Sequence, residues 1–279
     1  MVTGGAHRLS AEARATVVGR YLSGEPCPSI AASLGVSTQA IRGLLIRRGV
    51  KRRNRSQAAT RHALNHDAFN HFSYKMEYWC GFIAADGTLV VRNESAPELA
   101  LVLSARDRMQ IIKFRKFLGS THAITDFTPK DAYSVHDVCR FAVRSSQIVS
   151  RLQVLGVKKG PLASRLVRSR DFWRGVVDGD GWVGISQGAP RLELVGEYWL
   201  LNEFVQYLRF SQVPTKATIR PHKSIYRIGF CRGSAQAVAR LLYRDASVGL
   251  DRKVEMAARI SQLQNSKLGT LGGMRSGDC

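Results

Sequence analysis

The sequence of 279 residues has no apolar run of about 18 residues without charges, so it predicts no transmembrane helix and no membrane partner. Its first residues, MVTGGAHRLS, lack the basic start and apolar stretch of a signal peptide. The five cysteines are odd in number, widely spaced and without a Cys-x-x-Cys pair, which argues against a disulfide framework or a zinc site. These absences favour a cytoplasmic protein in a reducing compartment.

Acidic residues are scarce relative to basic ones, with 21 Asp and Glu against 42 Lys and Arg and a formal net charge of +21 at pH 7. Excess positive charge says little about fold but favours a polyanionic partner, and nucleic acid is the leading candidate. Hydrophobic residues make up 44% of the chain, which is enough for a sizeable core. The length suggests two domains, or one domain with a small module.

The first quarter of the chain is the most basic, since residues 1–75 hold 12 Lys and Arg against 3 Asp and Glu. Its apolar spacing predicts three short helices, over Glu12–Leu22, Ser29–Leu34 and Thr38–Arg48. Gly35 breaks the chain between the second and third helices, and Ser37 is placed to cap the third. A short helix, a glycine-containing turn and a second helix form the helix-turn-helix pattern. The segment IAASLGVSTQAIRGLLIRRG resembles the helix-turn-helix of resolvase- and transposase-type DNA-binding domains.

Basic side chains in and after the third helix favour DNA binding over the alternative, a small helical bundle without a ligand. The polar segment from Lys51 onward has no apolar period and predicts a basic linker. The residues of this region that we expect to contact DNA are Ser37, Thr38, Gln39, Arg42, Arg47, Arg48, Lys51, Arg52, Arg53 and Arg55.

An internal repeat follows, in which YWCGFIAADGTLVV begins at Tyr78 and FWRGVVDGDGWVGI begins at Phe172. The matching Trp, Gly, Asp and Gly residues are each 94 positions apart. Lys159 and Lys253 are separated by the same interval, and each follows the aspartate of its own motif by 73 residues. A duplication of this kind predicts two copies of one structural unit.

Both copies show the same predicted order of helix, strand, strand, helix, strand, strand, helix. The fold class is therefore α+β, a pseudo-twofold tandem αββαββα preceded by a three-helix module. Strands are expected at Thr88–Arg92, Glu98–Leu103, Ala123–Phe127, Ala132–Val143, Trp182–Ser186, Leu192–Val195, Lys216–Arg220 and Ser224–Phe230. The expected domains are residues 1–50 as the helix-turn-helix module, 51–75 as the linker, 76–165 and 166–265 as the two halves, and 266–279 as a flexible tail.

Alternation along these strands predicts sheets with one apolar and one basic face. Leu99, Leu101 and Leu103 share one side of their strand, whereas Lys216 and Arg220 lie opposite the apolar residues of theirs. A basic sheet face suits the phosphates and base edges of a DNA groove, and a solvated face is the alternative. The residues expected to contact DNA from the two halves are Arg92, Arg191, Lys216, Arg220, Lys223 and Arg227.

The duplicated motifs also carry the candidate chemistry. Each motif predicts a mostly apolar helix with a glycine inside it, Gly81 or Gly175, that ends in Asp-Gly before a strand. A glycine in the middle of a helix costs about 1 kcal/mol relative to alanine, which is tolerated where another backbone comes close. We therefore expect the two helices to pack through these glycines and to bring Asp86 and Asp180 together at one end.

Two carboxylates at helix C-termini are electrostatically unfavourable, because they repel each other and oppose the helix dipoles. A divalent cation relieves both problems, and oxygen ligands suit Mg²⁺ or Mn²⁺. A divalent metal beside bound DNA indicates phosphodiester hydrolysis, and a lysine near each aspartate could neutralise charge that develops on the phosphate.

The motifs WCGFIAADG and WRGVVDGDG resemble the LAGLIDADG motif, and over residues 78–260 the chain is similar to single-chain LAGLIDADG homing endonucleases. The resemblance implies a monomer that binds double-stranded DNA through a saddle of two sheets and makes a staggered double-strand break. It implies metal binding and strand cleavage by Asp86 and Asp180, with metal contacts from the carbonyls of Ala85 and Gly179. It also implies a basic catalytic residue late in each half. By position this residue is Lys159 in the first half and Lys253 in the second.

Two further functions stay open for this fold. One is a DNA-binding transcription regulator that does not cleave, although members that lost cleavage lack the catalytic acids. The other is an intron maturase that binds RNA, against which the helix-turn-helix favours DNA. The expected setting is the nucleoid-associated cytoplasm of a prokaryote or a phage host.

Overall fold

A computed structural model describes residues 10–51, 62–92, 95–128 and 137–263. The chain divides into two compact units, Met1–Arg61 and His62–Cys279. Residues 62–73, expected in the linker, belong to the second unit. The amide of Asn65 donates to the carbonyl of Leu118 at 2.8 Å, and Phe69 is fully buried in the core of the second unit. The linker prediction is wrong for this segment, because a buried aromatic ties it to the first half.

The described part of the first unit consists of the three predicted helices, α1 (Ala11–Leu22), α2 (Cys27–Ser33) and α3 (Thr38–Arg47). The hydroxyl of Ser37 accepts the amide of Ala40 at 3.1 Å and caps α3 as expected. The axes of α2 and α3 are bent by 112°. Among the described helices none is by itself long and apolar enough to cross a membrane, and α2 with α3 form the one bent pair that reaches that length and composition together.

The second unit contains two halves with the same order of elements. The first half comprises α4 (Tyr74–Asp86), β1 (Gly87–Arg92), β2 (Ser95–Ser104), a 3₁₀ turn (Ala105–Asp107), α5 (Arg108–Phe117), β3 (Thr125–Phe127), β4 (Val138–Arg144), α6 (Ser146–Val154) and the short α7 (Ser164–Val167). The second half comprises α8 (Arg170–Asp180), β5 (Gly181–Ser186), β6 (Ala189–Gly196), α9 (Tyr198–Phe210), β7 (Arg220–His222), β8 (Ile225–Cys231), α10 (Arg232–Tyr243) and α11 (Asp251–Gln262).

Each half forms an antiparallel sheet of four strands, in the orders β1-β2-β4-β3 and β5-β6-β8-β7. The inner face of each sheet is apolar. Leu99 and Leu101 of β2 are buried, as are Leu192 and Leu194 of β6. These side chains pack with the helices into one continuous core. The predicted α+β fold of tandem αββαββα halves is therefore confirmed.

Two strand predictions need correction. Residues 216–219 form no ladder, and β7 covers only Arg220–His222. Ala217 and Ile219 still pack against the core while Lys216 stays exposed, so the alternation reflects burial without strand pairing. In the first half β4 begins at Val138, and residues 132–136 of the strand expected from Ala132 lie outside the described residues.

Candidate active site

The two motif helices, α4 and α8, pack along each other through their glycines. A β-carbon on Gly81 would lie 1.9 Å from the carbonyl oxygen of Phe172, and one on Gly175 would lie 2.1 Å from that of Tyr78. Neither distance allows a side chain, because real β-carbon contacts are essentially never shorter than 3.0 Å. The structure thus places both predicted packing glycines at the contact between the helices.

This packing brings the C-terminal ends of α4 and α8 together. Asp86 is the last residue of α4 and Asp180 the last of α8, and a glycine caps each helix. A β-carbon on Gly179 would lie 2.3 Å from the β-carbon of Ala85 and 3.3 Å from Oδ2 of Asp86. The carboxylate of Asp86 therefore lies against the other motif helix, directly before Asp180.

The electrostatics of the pair follow from this crowding. Burial, followed by the negative charge of Asp180, raises the pKa of Asp86 from 3.8 to about 6, while Lys253 and Lys158 act in the opposite direction. Burial also raises the pKa of Asp180, against the two lysines. Both carboxylates thus gain from a neighbouring positive charge.

A lysine of the first half reaches the end of α4, but it is Lys158. Its Nζ donates to the carbonyl oxygen of Ala85 at 2.7 Å. Partial burial lowers the pKa of this ammonium group, whereas Asp180 and Asp86 raise it. Lys159, which the fixed interval predicts for this role, lines the neighbouring cavity without a hydrogen bond to α4 among the described contacts. Lys158 has φ of 67°, in the left-handed region.

The lysine of the second half, Lys253, lies where the repeat predicts it. It is 3% exposed on α11, and its Nζ donates to the carbonyl oxygens of Val177 at 2.8 Å, Asp178 at 2.8 Å and Gly181 at 2.6 Å. Burial lowers its pKa to about 8, against the charge of Asp178. Its three donors therefore cap the end of α8, so the two lysines are held differently.

A buried acid that the sequence analysis did not assign organises the second half. Asp178 accepts hydrogen bonds from the hydroxyls of Tyr78 at 2.8 Å and Tyr243 at 2.7 Å, and from the amide of Leu250 at 2.7 Å. Burial raises the pKa of Asp178, and the charge of Lys253 opposes that shift most strongly. The network ties α8 to α4, to α10 and to the start of α11. The sequence feature that could have identified Asp178 is the presence of an acid within an otherwise apolar helix segment.

Ion pairs between the halves hold the start of α11 in place. Arg252 makes a two-point contact with Asp107, at 2.9 Å and 3.0 Å. Lys113 of α5 donates to the carbonyl of Gly249 at 2.8 Å and pairs with Asp251 at 2.5 Å. These contacts fix the helix from which Lys253 reaches the site.

Open space adjoins the acids. A cavity of about 720 Å³ is lined by Asp180, Lys158 and Lys159, and also by Glu197 and Trp199. An anionic group that entered it would meet two ammonium groups beside one of the paired carboxylates.

The donor set fits a hard divalent cation. The described residues contain no group of three or more His, Cys, Asp or Glu side chains that could hold a metal ion. Protein ligands would therefore be the two carboxylates, with main-chain oxygens such as those of Ala85 and Gly179. Mg²⁺ is commonly held by one or two carboxylates together with water and substrate phosphate.

The residues expected to contact DNA lie on two kinds of surface. In the first unit Ser37, Gln39, Arg42, Arg47, Arg48 and Lys51 are exposed on or beside α3, Thr38 is half-buried, and Arg52, Arg53 and Arg55 lie outside the described residues. In the second unit Arg191 and Arg227 lie on the outer face of the second sheet, and Arg92, Lys216, Arg220 and Lys223 are exposed around the sheets. Arg140 and Arg144, on the outer face of the first sheet, were not predicted.

No protein-family model matches the chain, and no curated protein sequence matches it. Similar solved structures include the homing endonuclease I-WcaI bound to its DNA recognition sequence, which is 12% identical with a TM-score of 0.49 over 70% of this chain and 90% of its own. The I-SmaMI LAGLIDADG homing endonuclease bound to cleaved DNA is 11% identical with a TM-score of 0.46, over 68% and 89%. The LAGLIDADG meganuclease I-AabMI bound to uncleaved DNA is 9% identical with a TM-score of 0.45, over 68% and 89%. The LAGLIDADG family, predicted from the two motifs, is thus also the family of these structures, and their low identity assigns no role to a residue of this chain.

Proposed function

We propose that this protein is a site-specific endonuclease of the LAGLIDADG homing type, which hydrolyses both strands of DNA with a divalent metal ion. The observation that carries the proposal is the pair Asp86 and Asp180. Two half-buried carboxylates, one from each half, meet at the ends of packed helices, with a lysine ammonium group beside each end. Such a cluster destabilises the isolated fold, so a function that uses it is the simplest reason for its presence.

The proposed roles follow from the chemistry of each group. Asp86 and Asp180 hold Mg²⁺ or Mn²⁺ and orient water towards the phosphate. The metal, when bound, activates water and stabilises the leaving oxygen. Lys158 is placed to neutralise charge on a phosphate that enters the cavity beside Asp180. Lys253 holds the end of α8, and thereby Asp180, in position. Lys159 faces the same cavity and contributes to the electrostatic attraction of the DNA phosphate backbone.

The surroundings of the acids support DNA as the substrate. The outer faces of both sheets carry arginines, and the chain as a whole has a net charge of +21. Backbone phosphates supply most of the affinity for such a surface. One chain contains both halves, so we propose that a monomer cuts both strands.

The first unit is proposed to add affinity or site choice. A recognition helix at about 90–120° to its partner is the geometry of a helix-turn-helix, and the bend of 112° between α2 and α3 falls in that range. Deletion of residues 1–61 should weaken or broaden DNA binding and leave cleavage of a bound site intact. Unchanged affinity and specificity would refute this role.

A non-cleaving regulator and an RNA-binding maturase are the alternatives that an experiment must separate. The test is selection of cleaved molecules from a random DNA library in the presence of Mg²⁺, with the Asp86→Asn, Asp180→Asn double variant as the control. The proposal predicts one long asymmetric site that only the unaltered protein cleaves. Enrichment by binding alone, with no cleaved product, would identify a regulator. Preferential binding of structured RNA would favour the maturase.

A further inference from the structure

Each sheet carries one acidic residue on the outer face of its described strands, at different register positions in the two halves. The strand pairing puts Glu98 of β2 opposite Arg144 of β4, on the face away from the leucine core. In the second half Glu193 of β6 lies opposite Gly229 of β8, also away from the core. Within the described strands no other Asp or Glu lies on these outer faces. A surface that meets polyanionic DNA has a reason to exclude acids, so this pair calls for an explanation.

Each of the two glutamates interacts with two arginines of its own sheet. Glu98 pairs with Arg140 and, at 3.4 Å, with Arg144. Glu193 pairs with Arg191 at 2.5 Å and lies 3.9 Å from Arg227. Each glutamate side chain is only 20% exposed, whereas the arginines are between 38% and 61% exposed. The acids therefore lie beneath the guanidinium groups and not at the rim of the surface.

Small residues form the floor on which these clusters lie. Ala100 and Ala142 face each other between the positions of Arg140 and Arg144. In the second sheet a β-carbon on Gly229 would lie 3.9 Å from both Cγ and Oε1 of Glu193, so the glutamate extends across the glycine. The two halves thus build similar clusters from different register positions, each with one acid that contacts two arginines above small residues.

We infer that Glu98 and Glu193 are specificity-determining residues, which orient the paired arginines so that they read guanine in the major groove of each half-site. The inference rests on the proposed function. A guanidinium group has five N–H donors, and the ion pair uses one or two of them. The remaining donors match O6 and N7 of guanine, the commonest specific contact of arginine. A fixed orientation lowers the entropy that the arginine loses on binding and limits its contacts with phosphates, which carry no sequence information.

The test is selection of bound sites from a random DNA library in Ca²⁺, with each half-site read separately. Glu98→Gln should reduce the preference for guanine at one or two positions of one half-site by about fivefold or more, and raise affinity for unrelated DNA. Glu193→Gln should do the same in the other half-site only. Asp126→Asn is the matched control, because Asp126 lies on the helix side of the first sheet and pairs with Arg108 there. It makes the same change in charge and should leave the selected site unaltered.

A second pair of variants guards against misfolding. Arg144→Lys and Arg227→Lys keep the charge and remove the planar donor pair, so each should lose guanine preference in its own half-site while binding to unrelated DNA persists. An unchanged selected site in Glu98→Gln and Glu193→Gln would overturn the inference, whatever the arginine variants do, and would leave the endonuclease proposal intact. A wild-type protein that selects no sequence at all would instead count against the proposed function.

Discussion

Lys158 donates a hydrogen bond of 2.7 Å to the carbonyl oxygen of Ala85, the residue directly before Asp86. The contact attaches a flexible ammonium group from a turn to the end of a rigid motif helix. That helix end also carries Asp86, and Lys158 borders the same cavity as Asp180 of the second half, so a cation of one half and an anion of the other meet beside one cavity.

This placement predicts unequal effects for two adjacent lysines. Lys158→Met should lower the single-turnover rate of DNA cleavage by about a hundredfold or more, because an uncharged side chain cannot stabilise developing phosphate charge. Lys159→Met should mainly weaken DNA binding, since its ammonium group has no contact with α4 among the described residues. The rate is measured with saturating protein on prebound DNA. Equal losses of rate in the two variants would contradict the distinction.

The glycine contact predicts that both motif helices reject a methyl group. Gly81→Ala or Gly175→Ala should destabilise the second unit by about 1–3 kcal/mol, because the added carbon overlaps a main-chain carbonyl. All four tryptophans lie in the second unit, so tryptophan fluorescence during denaturation follows its unfolding. Gly19→Ala in α1 is the control, since nothing lies within 4 Å of the added carbon. It should leave the tryptophan transition where it is, and an equal shift in all three variants would refute the packing argument.

The carboxylate pair predicts a pH-dependent loss of folding stability, which a bound metal ion offsets. The pKa of Asp86 is about 6 in the folded protein against an ordinary 3.8, so the folded state binds this proton more tightly than the unfolded chain. The resulting stabilisation is complete below the lower value and is lost as the pH rises through about 6. In EDTA at pH 8, Asp86→Asn should therefore be more stable than the wild type by up to about 3 kcal/mol.

Denaturant unfolding between pH 4.5 and 8 measures this difference. It should shrink towards the acidic end of the range. Added Mg²⁺ should stabilise the wild type but not Asp86→Asn, since a ligand that binds only the folded state raises its stability. If Mg²⁺ did not change the stability of the wild type at any pH, that result would argue against a metal site at this pair.

The buried network of Asp178 predicts a large effect for a small change. Asp178→Asn should destabilise the second unit by about 3 kcal/mol, because the amide cannot accept all three hydrogen bonds and Lys253 loses its buried counter-charge. Tyr243→Phe removes a single donor and should cost about 1.5 kcal/mol. Denaturant unfolding compares the two variants. If Asp178→Asn left the free energy of unfolding unchanged, that result would contradict a stabilising role for the network.

Much of the fold could be predicted because the repeat is periodic and local. The paired motifs fix where two helices end, and alternating leucines such as Leu99 and Leu101 identify the inner face of a strand. Gly81 and Gly175 could be assigned to a helix contact because glycine inside a helix has few other uses. The same local logic misplaced the strand at 216–220, since alternation records burial and says nothing about hydrogen-bonded partners.

Other parts of the site depend on the course of the chain in space. The choice between Lys158 and Lys159 rests on a turn with a left-handed residue, and a fixed interval between repeats cannot resolve one position there. The partners of Asp178 come from three separate segments of the chain, so no spacing of residues in the sequence predicts them. The arginine clusters around Glu98 and Glu193 depend on strand register in the same way.

The most direct measurement of the central claim is cleavage of each DNA strand, labelled separately at its end, at the selected site in Mg²⁺. The wild type should cut both strands, and Asp86→Asn or Asp180→Asn should leave at most a nick while affinity for the site persists. The double variant should bind without cutting. Full cleavage of both strands by the double variant would contradict the assignment of the two carboxylates as the catalytic pair.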